Sequence, residues 1–335
     1  MKKFFLGLLF VLALIALGLP GLIAAWLPGQ IEQSLDEHWP EATLVVERGW
    51  FNTTAIAQQG RTQLKLECHH LRWWRGTLLD ANGNLMLSEP QTNIEIDARF
   101  NLDTTLHIHA HSERVEWAGT GTNRIDAPTF TLELNGSGEG KLVASARRLN
   151  LADILANELA LAEIQVESNW RGSDERLDQV RLNIQTERAA QPLSQLNLTA
   201  ASIDREALAQ LNMAWSELQN APPDSLQAQM AGLGLISAWQ QLVQAGLVLE
   251  LETLNLDREV SISGRWQPDQ NMLGLQGGGR TPAALDWISP MLGLSQQLPA
   301  EKARAKAWQW IQQAADNDYL RLDGEQFEIN DAAIN

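Results

Sequence analysis

Thr129-Phe130-Thr131-Leu132-Glu133-Leu134 alternates polar and apolar side chains without a break. A strand turns successive side chains to opposite faces, so this hexapeptide has one dry face and one wet one. A helix would instead scatter Phe130, Leu132 and Leu134 around its circumference. The same period of two runs through Thr62-Gln63-Leu64-Lys65-Leu66-Glu67 and Asn93-Ile94-Glu95-Ile96-Asp97. Turn signals separate such stretches at Arg48-Gly49, Asn82-Gly83-Asn84, Gly119-Thr120-Gly121 and Asn135-Gly136-Ser137-Gly138. From Thr43 to Leu134 the chain therefore reads as an antiparallel meander.

Past Arg148 the period changes. Apolar residues at three-to-four spacing predict short helices over Leu151 to Leu159, Asp204 to Leu218, Leu235 to Ala245 and Glu301 to Ala315, with Asp204 and Glu206 suited to the start of the second. Strand patterns return at 162–168, 177–186, 193–199, 247–256, 260–266 and 319–329. The expected fold is mainly β (α+β): an extended, largely antiparallel curved sheet with inserted short helices, preceded by one N-terminal hydrophobic helix. Three regions follow: residues 1–29 as signal anchor or signal peptide, 30–148 as a strand-rich region, and 149–335 as strand pairs with helices, continuous with the preceding sheet. Leu149-Asn150-Leu151, Leu196-Asn197-Leu198 and Leu254-Asn255-Leu256 recur, which fits either a sheet of similar layers or chance in a Leu-rich chain.

Lys2 and Lys3 precede an uncharged run from Phe4 to Leu27, long enough as a helix to cross a bilayer. The positive-inside rule keeps the lysines in the cytoplasm and exports the rest. Pro20-Gly21 and the small residues Ala24-Ala25 suit signal cleavage, while Trp26 suits a retained anchor. The expected address is the bacterial inner membrane, single-pass, with the body in the periplasm, or the soluble periplasm if the segment is cut.

Of 335 residues, 44% are hydrophobic and 20% charged, a globular balance that argues against disorder of the body. A formal charge of −16 opposes nucleic acid, which needs clustered Lys and Arg. The one cysteine, Cys68, excludes an internal disulfide.

Four features together resemble the YdgA-like family of Gram-negative envelope proteins: the basic-then-apolar stretch Met1 to Leu27, the segment Val45-Val46-Glu47-Arg48-Gly49-Trp50-Phe51, the alternating strand pairs, and a late helix leading into Asp318-Tyr319-Leu320-Arg321-Leu322-Asp323-Gly324. The resemblance implies an inner-membrane-anchored periplasmic protein whose biochemical role is not established. A more distant similarity is to AsmA-like envelope proteins, elongated β structures implicated in moving or organising lipid.

Chemistry-bearing residues cluster in two places. In Leu106-His107-Ile108-His109-Ala110-His111 a strand would put His107, His109 and His111 on one face, and Cys68, His69 and His70 on a neighbouring strand would complete a metal site. The bland alternative is a solvated or pH-responsive polar face. Arg72-Trp73-Trp74-Arg75 is a cationic-aromatic patch suited to lipid headgroups, or to one Trp in the core and one on its rim. Gly136-Ser137-Gly138-Glu139-Gly140-Lys141 has Leu142 where a phosphate loop needs Ser or Thr, and Gly277-Gly278-Gly279-Arg280 reads as a loop ahead of Thr281-Pro282. Helix 301–310, with Lys302, Arg304 and Lys306, suits either a membrane surface or sheet packing. No catalytic motif and no cofactor is implied. The expected function is binding of a lipid or other apolar ligand along the sheet, with the inner membrane as partner and no nucleic acid. The alternatives are a protein scaffold in an envelope complex and a metal-dependent envelope enzyme.

Overall fold

The computed structural model describes residues 41–330, except 50–51, 73–76, 89–90, 119–121, 153–157, 174, 189–193, 223–224 and 271, together with Gly29 and Gln33. The apolar segment Phe4 to Leu27 lies outside the described residues. Among the described residues no helix is long and apolar enough to cross a membrane. The chain divides into two compact units, Met1–Ala118 with Arg124–Gly136, and Gly119–Asn123 with Ser137–Asn335.

The first unit contains β1 (Thr43–Arg48), β2 (Asn52–Gln59), β3 (Thr62–Arg72), β4 (Thr77–Ser88), β5 (Gln91–Asn101), β6 (Leu106–His111), β7 (Arg114–Ala118), most of β8 (Thr122–Asp126) and β9 (Thr129–Leu134). β1 to β6 pair in sequence order, each antiparallel to the last, and β9 closes on β6. One register row carries Val46, Ala55, Leu66, Gly83, Ile96, Ala110 and Phe130 across seven strands. The alternation read from the sequence is thus a sheet with one apolar face. Asn82-Gly83-Asn84 is not the expected turn, because β4 runs through it. A side chain at Gly83 would sit 2.5 Å from Leu66 Cδ2, so the glycine makes room for its cross-strand neighbour. Asp126 is buried and accepts a two-pronged pair of hydrogen bonds from Arg124, Nε to Oδ1 at 2.6 Å and Nη2 to Oδ2 at 2.7 Å, while Arg114 Nε adds a third at 3.2 Å. A buried carboxylate is stable only with such charged donors around it.

The second unit is a sheet in the order β10 (Gly140–Ala152), β11 (Glu158–Gly172), β12 (Arg176–Arg188), β13 (Ser194–Asp204), β14 (Val248–Leu256), β15 (Val260–Gln267), β16 (Met272–Arg280), β18 (Gln326–Ile329) and β17 (Leu320–Asp323), every pair antiparallel. Two helix pairs interrupt it: α1 (Arg205–Asn220) with α2 (Leu226–Gln244) after β13, and α3 (Thr281–Gln296) with α4 (Ala300–Asp316) after β16. Asp204 caps α1 by accepting from Ala207 N–H at 2.8 Å, and Ser225 caps α2 through Ala228 N–H at 3.1 Å. The mainly β class with inserted helices is what the chain adopts.

Two further local expectations are corrected. Leu151 and Ala152 end strand β10 and Glu158 and Leu159 begin β11, so the ends of the expected helix 151–159 are extended; on so short a window the two periods cannot be told apart. Gly277-Gly278-Gly279 is not a loop but lies within β16, where side chains at Gly277 and Gly279 would strike the Ser261 and Glu259 carbonyls at 2.1 and 2.3 Å. Thr281-Pro282 opens helix α3, with proline in the first turn where its missing N–H costs nothing.

Candidate functional site

The register of the second unit places three apolar rows on one face. The row Trp170, Val180, Ala200, Leu249 and Trp266 lies under α1 and α2. There Leu177, Ile203, Ala207, Leu242 and Leu247 form a buried cluster and Trp239 stacks on Trp266 at 5.6 Å. At the opposite ends of the strands, Leu256, Val260 and Phe327 pack with Ala283 and Ala284 of α3, while Ala303, Ala307 and Ile311 of α4 pack with Leu285 and Leu292.

Between these walls run two rows: Ala144, Val166, Ile184, Leu196 and Leu254, whose next partner Ile262 packs on the α3 cluster, and beside it Leu182, Leu198, Leu251 and, across Gly264, Leu275; these nine join none of the buried clusters. All nine are half-buried. Along β13 the α1/α2 wall meets Ala200 and the Asp257 hairpin that holds α3 meets Ser194, six residues or ~20 Å apart, and β10 to β16 span about 29 Å at ~4.8 Å per strand. The result is an apolar trough about as long as two acyl chains end to end, given a bilayer core of ~30 Å.

One wall is locked by a polar network. Buried Asp257 accepts from Trp287 Nε1 of α3 at 2.8 Å and from Ser194 Oγ of β13 at 3.0 Å, and its own N–H donates to Ser194 Oγ at 3.0 Å. Asp257 and Arg258 both have positive φ, 50° and 59°, as the two central residues of a tight hairpin require. Sequence reading missed this lock and the helix that carries it; Pro282 after Thr281 was the available signal.

The structure does not bring the six suggested metal ligands together. His107, His109 and His111 share the polar face of the first sheet, as the period of two requires. His107 Nδ1 lies 3.6 Å from Glu133, His109 Nδ1 3.1 Å from Thr131 Oγ1 and His111 Nε2 3.2 Å from Glu95, with His109 and His111 stacked at 5.7 Å. Cys68 is buried on the opposite, apolar face, in register with Thr53 and Ala81, and burial pushes its thiol pKa up. His69 is in the polar row of His107 but with β4 and β5 between them, three spacings or ~14 Å. The backbone of His70 pairs with Leu79. Among the described residues no group of three or more His, Cys, Asp or Glu is placed to hold a metal ion. Arg72 ends β3 opposite Thr77, while Trp73, Trp74 and Arg75 lie outside the described residues. On helix α4, Arg304 pairs with Asp286 at 2.7 Å and Lys306 donates to Gln296 at 2.6 Å, so these two bases serve the contact with α3.

Compared with family models, with curated proteins and with solved structures, the chain matches none.

Proposed function

We propose that this chain is a membrane-anchored envelope protein that holds lipid acyl chains, or a comparably apolar ligand, in the trough of its second unit, without catalysis. The observation that carries the reading is the pair of apolar rows left half-buried between two helix pairs on the same sheet face. Apolar surface left open between packed walls has a free-energy gain available from a guest, about 0.8 kcal/mol for each CH₂ removed from water. Among the described residues the two rows offer Leu, Ile, Val, Ala and Gly with Ser168 beside Leu182, a lining that suits a chain of methylenes better than a polar substrate. The uncharged run Phe4 to Leu27 supplies the membrane attachment in this reading, with the body in the periplasm.

Native mass spectrometry of the detergent-free protein made in the periplasm tests it. The expected result is a lipid adduct that disappears on delipidation. A clean mass, under conditions where a known lipid carrier keeps its cargo, would sink the reading in favour of a protein scaffold.

A further inference from the structure

The outward side of the α1/α2 pair carries large exposed apolar side chains among polar ones. On α2 the buried positions are Ala231, Ala238 and Leu242, while Leu226, Met230, Leu233 and Ile236 are 73%, 64%, 66% and 57% exposed. At ~100° per residue Leu226, Met230 and Leu233 fall within one stripe, roughly opposite the buried side. On α1, Leu208 and Trp215 stand seven residues apart, again two turns along one side, and both are exposed. Gln229, Ser237, Gln240 and Gln244 are exposed on the same side, so the outward side of α2 is apolar over its first half and uncharged throughout, while the core takes the other side. Its 19 residues contain no Asp, Glu, Lys, Arg or His, in a chain of net charge −16.

We infer that this outward face seats in the interfacial layer of a lipid bilayer. A second copy of the chain, equally acidic, would be held off by like charge, and the flexible aliphatics of uncharged α2 offer little to fix the register of a protein partner. A bilayer needs no register, and a neutral helix is the part of an acidic protein that approaches anionic headgroups without repulsion. Leu, Met and Ile enter the acyl boundary while Trp215 supplies the interfacial ring. The inference deepens the proposed function, because the same two helices wall the trough on their inner side and would bring its mouth to the membrane.

The test uses the full chain with Cys68→Ala and Leu233→Cys, labelled with an environment-sensitive fluorophore, on vesicles of phosphatidylethanolamine and phosphatidylglycerol with brominated acyl chains. A control label is placed by Glu133→Cys on the polar sheet face. The label at 233 is expected to shift to the blue and be quenched, and the label at 133 to do neither. Met230→Glu with Leu233→Glu is expected to lower vesicle binding by docking about tenfold or more. An aqueous emission at 233 on vesicles that carry the protein overturns the inference, as does a blue shift without vesicles that grows with protein concentration, which would indicate a second copy. Alkaline carbonate extraction reports separately on the anchor. Extractable protein with a quenched 233 label would refute the anchor and keep the docking face; the reverse pattern would do the opposite.

Discussion

Asp257→Ala is the most informative single change. It removes the acceptor of two buried donors, Ser194 Oγ and Trp287 Nε1, and leaves alanine at a φ of 50°. Each hydrogen bond to a charged acceptor is worth roughly 1.5–3 kcal/mol, and a left-handed alanine costs about 1 kcal/mol, so the expected loss is about 4 kcal/mol after partial relaxation. For a unit of this size that is a fall of about 12 °C in the transition that reports the second unit in calorimetry of the full chain. Arg258→Gly relieves the neighbouring left-handed residue and is expected to move the same transition up, by up to about 1 kcal/mol once glycine's extra chain entropy is counted. Opposite signs at adjacent residues separate the network from a general intolerance of the turn. A fall below about 3 °C for Asp257→Ala would show that the lock contributes little and that hydrophobic packing alone holds α3 in place.

Further outcomes follow from the geometry. Leu198→Asp, in the middle of the trough, is expected to abolish the lipid adduct in native mass spectra while thermal stability stays within about 1 kcal/mol, because the site is half-buried and clear of the helix walls. Asp204→Ala removes the cap of α1 and should cost about 1 kcal/mol in urea denaturation. Hydrogen bonding from Arg124, then its charge and that of Arg114, hold the Asp126 carboxyl below the usual carboxylate range. Its contribution is therefore complete above the unfolded value near ~4 and is lost as pH falls through the lower folded value, so urea midpoints of Asp126→Asn should decline less than wild type below pH ~4. Cys68 should resist thiol reagents in the native protein and react fully in denaturant, since burial disfavours its thiolate.

The strands of the first unit were legible because one face is dry and the other wet, so the period of two survives in Leu64, Leu66, Ile94, Ile96, Phe130 and Leu132. Helix α1 was legible from its cap. The helix α3 was hidden by Pro290 inside it and by eight buried positions spread over most of its surface, which erase the amphipathic period. Strand β16 was hidden because its glycines, which mark turns elsewhere, here admit the backbones of both neighbours. The trough was foreseen only as an apolar sheet face needing a cover. Which part stays open depends on pairing register across seven strands and on where the helix pairs land, neither of which is written in any local window. Residue type groups Cys68 with His107, His109 and His111, but strand parity sends Cys68 to the opposite face, and His69, which shares their face, lies three strand spacings away.

From β10 to β16 every strand is bonded to the strand next in sequence, and that order makes the protein extensible. A hairpin inserted anywhere in this run would lengthen the apolar trough by two strand spacings, about 10 Å, and a deleted one would shorten it by as much. Neither event would disturb the interhelical contacts at the strand ends, since a nearest-neighbour array keeps each interface local. The length of the trough is then a quantity that duplication and loss of hairpins can adjust in steps, without redesign of the helix pairs that flank it.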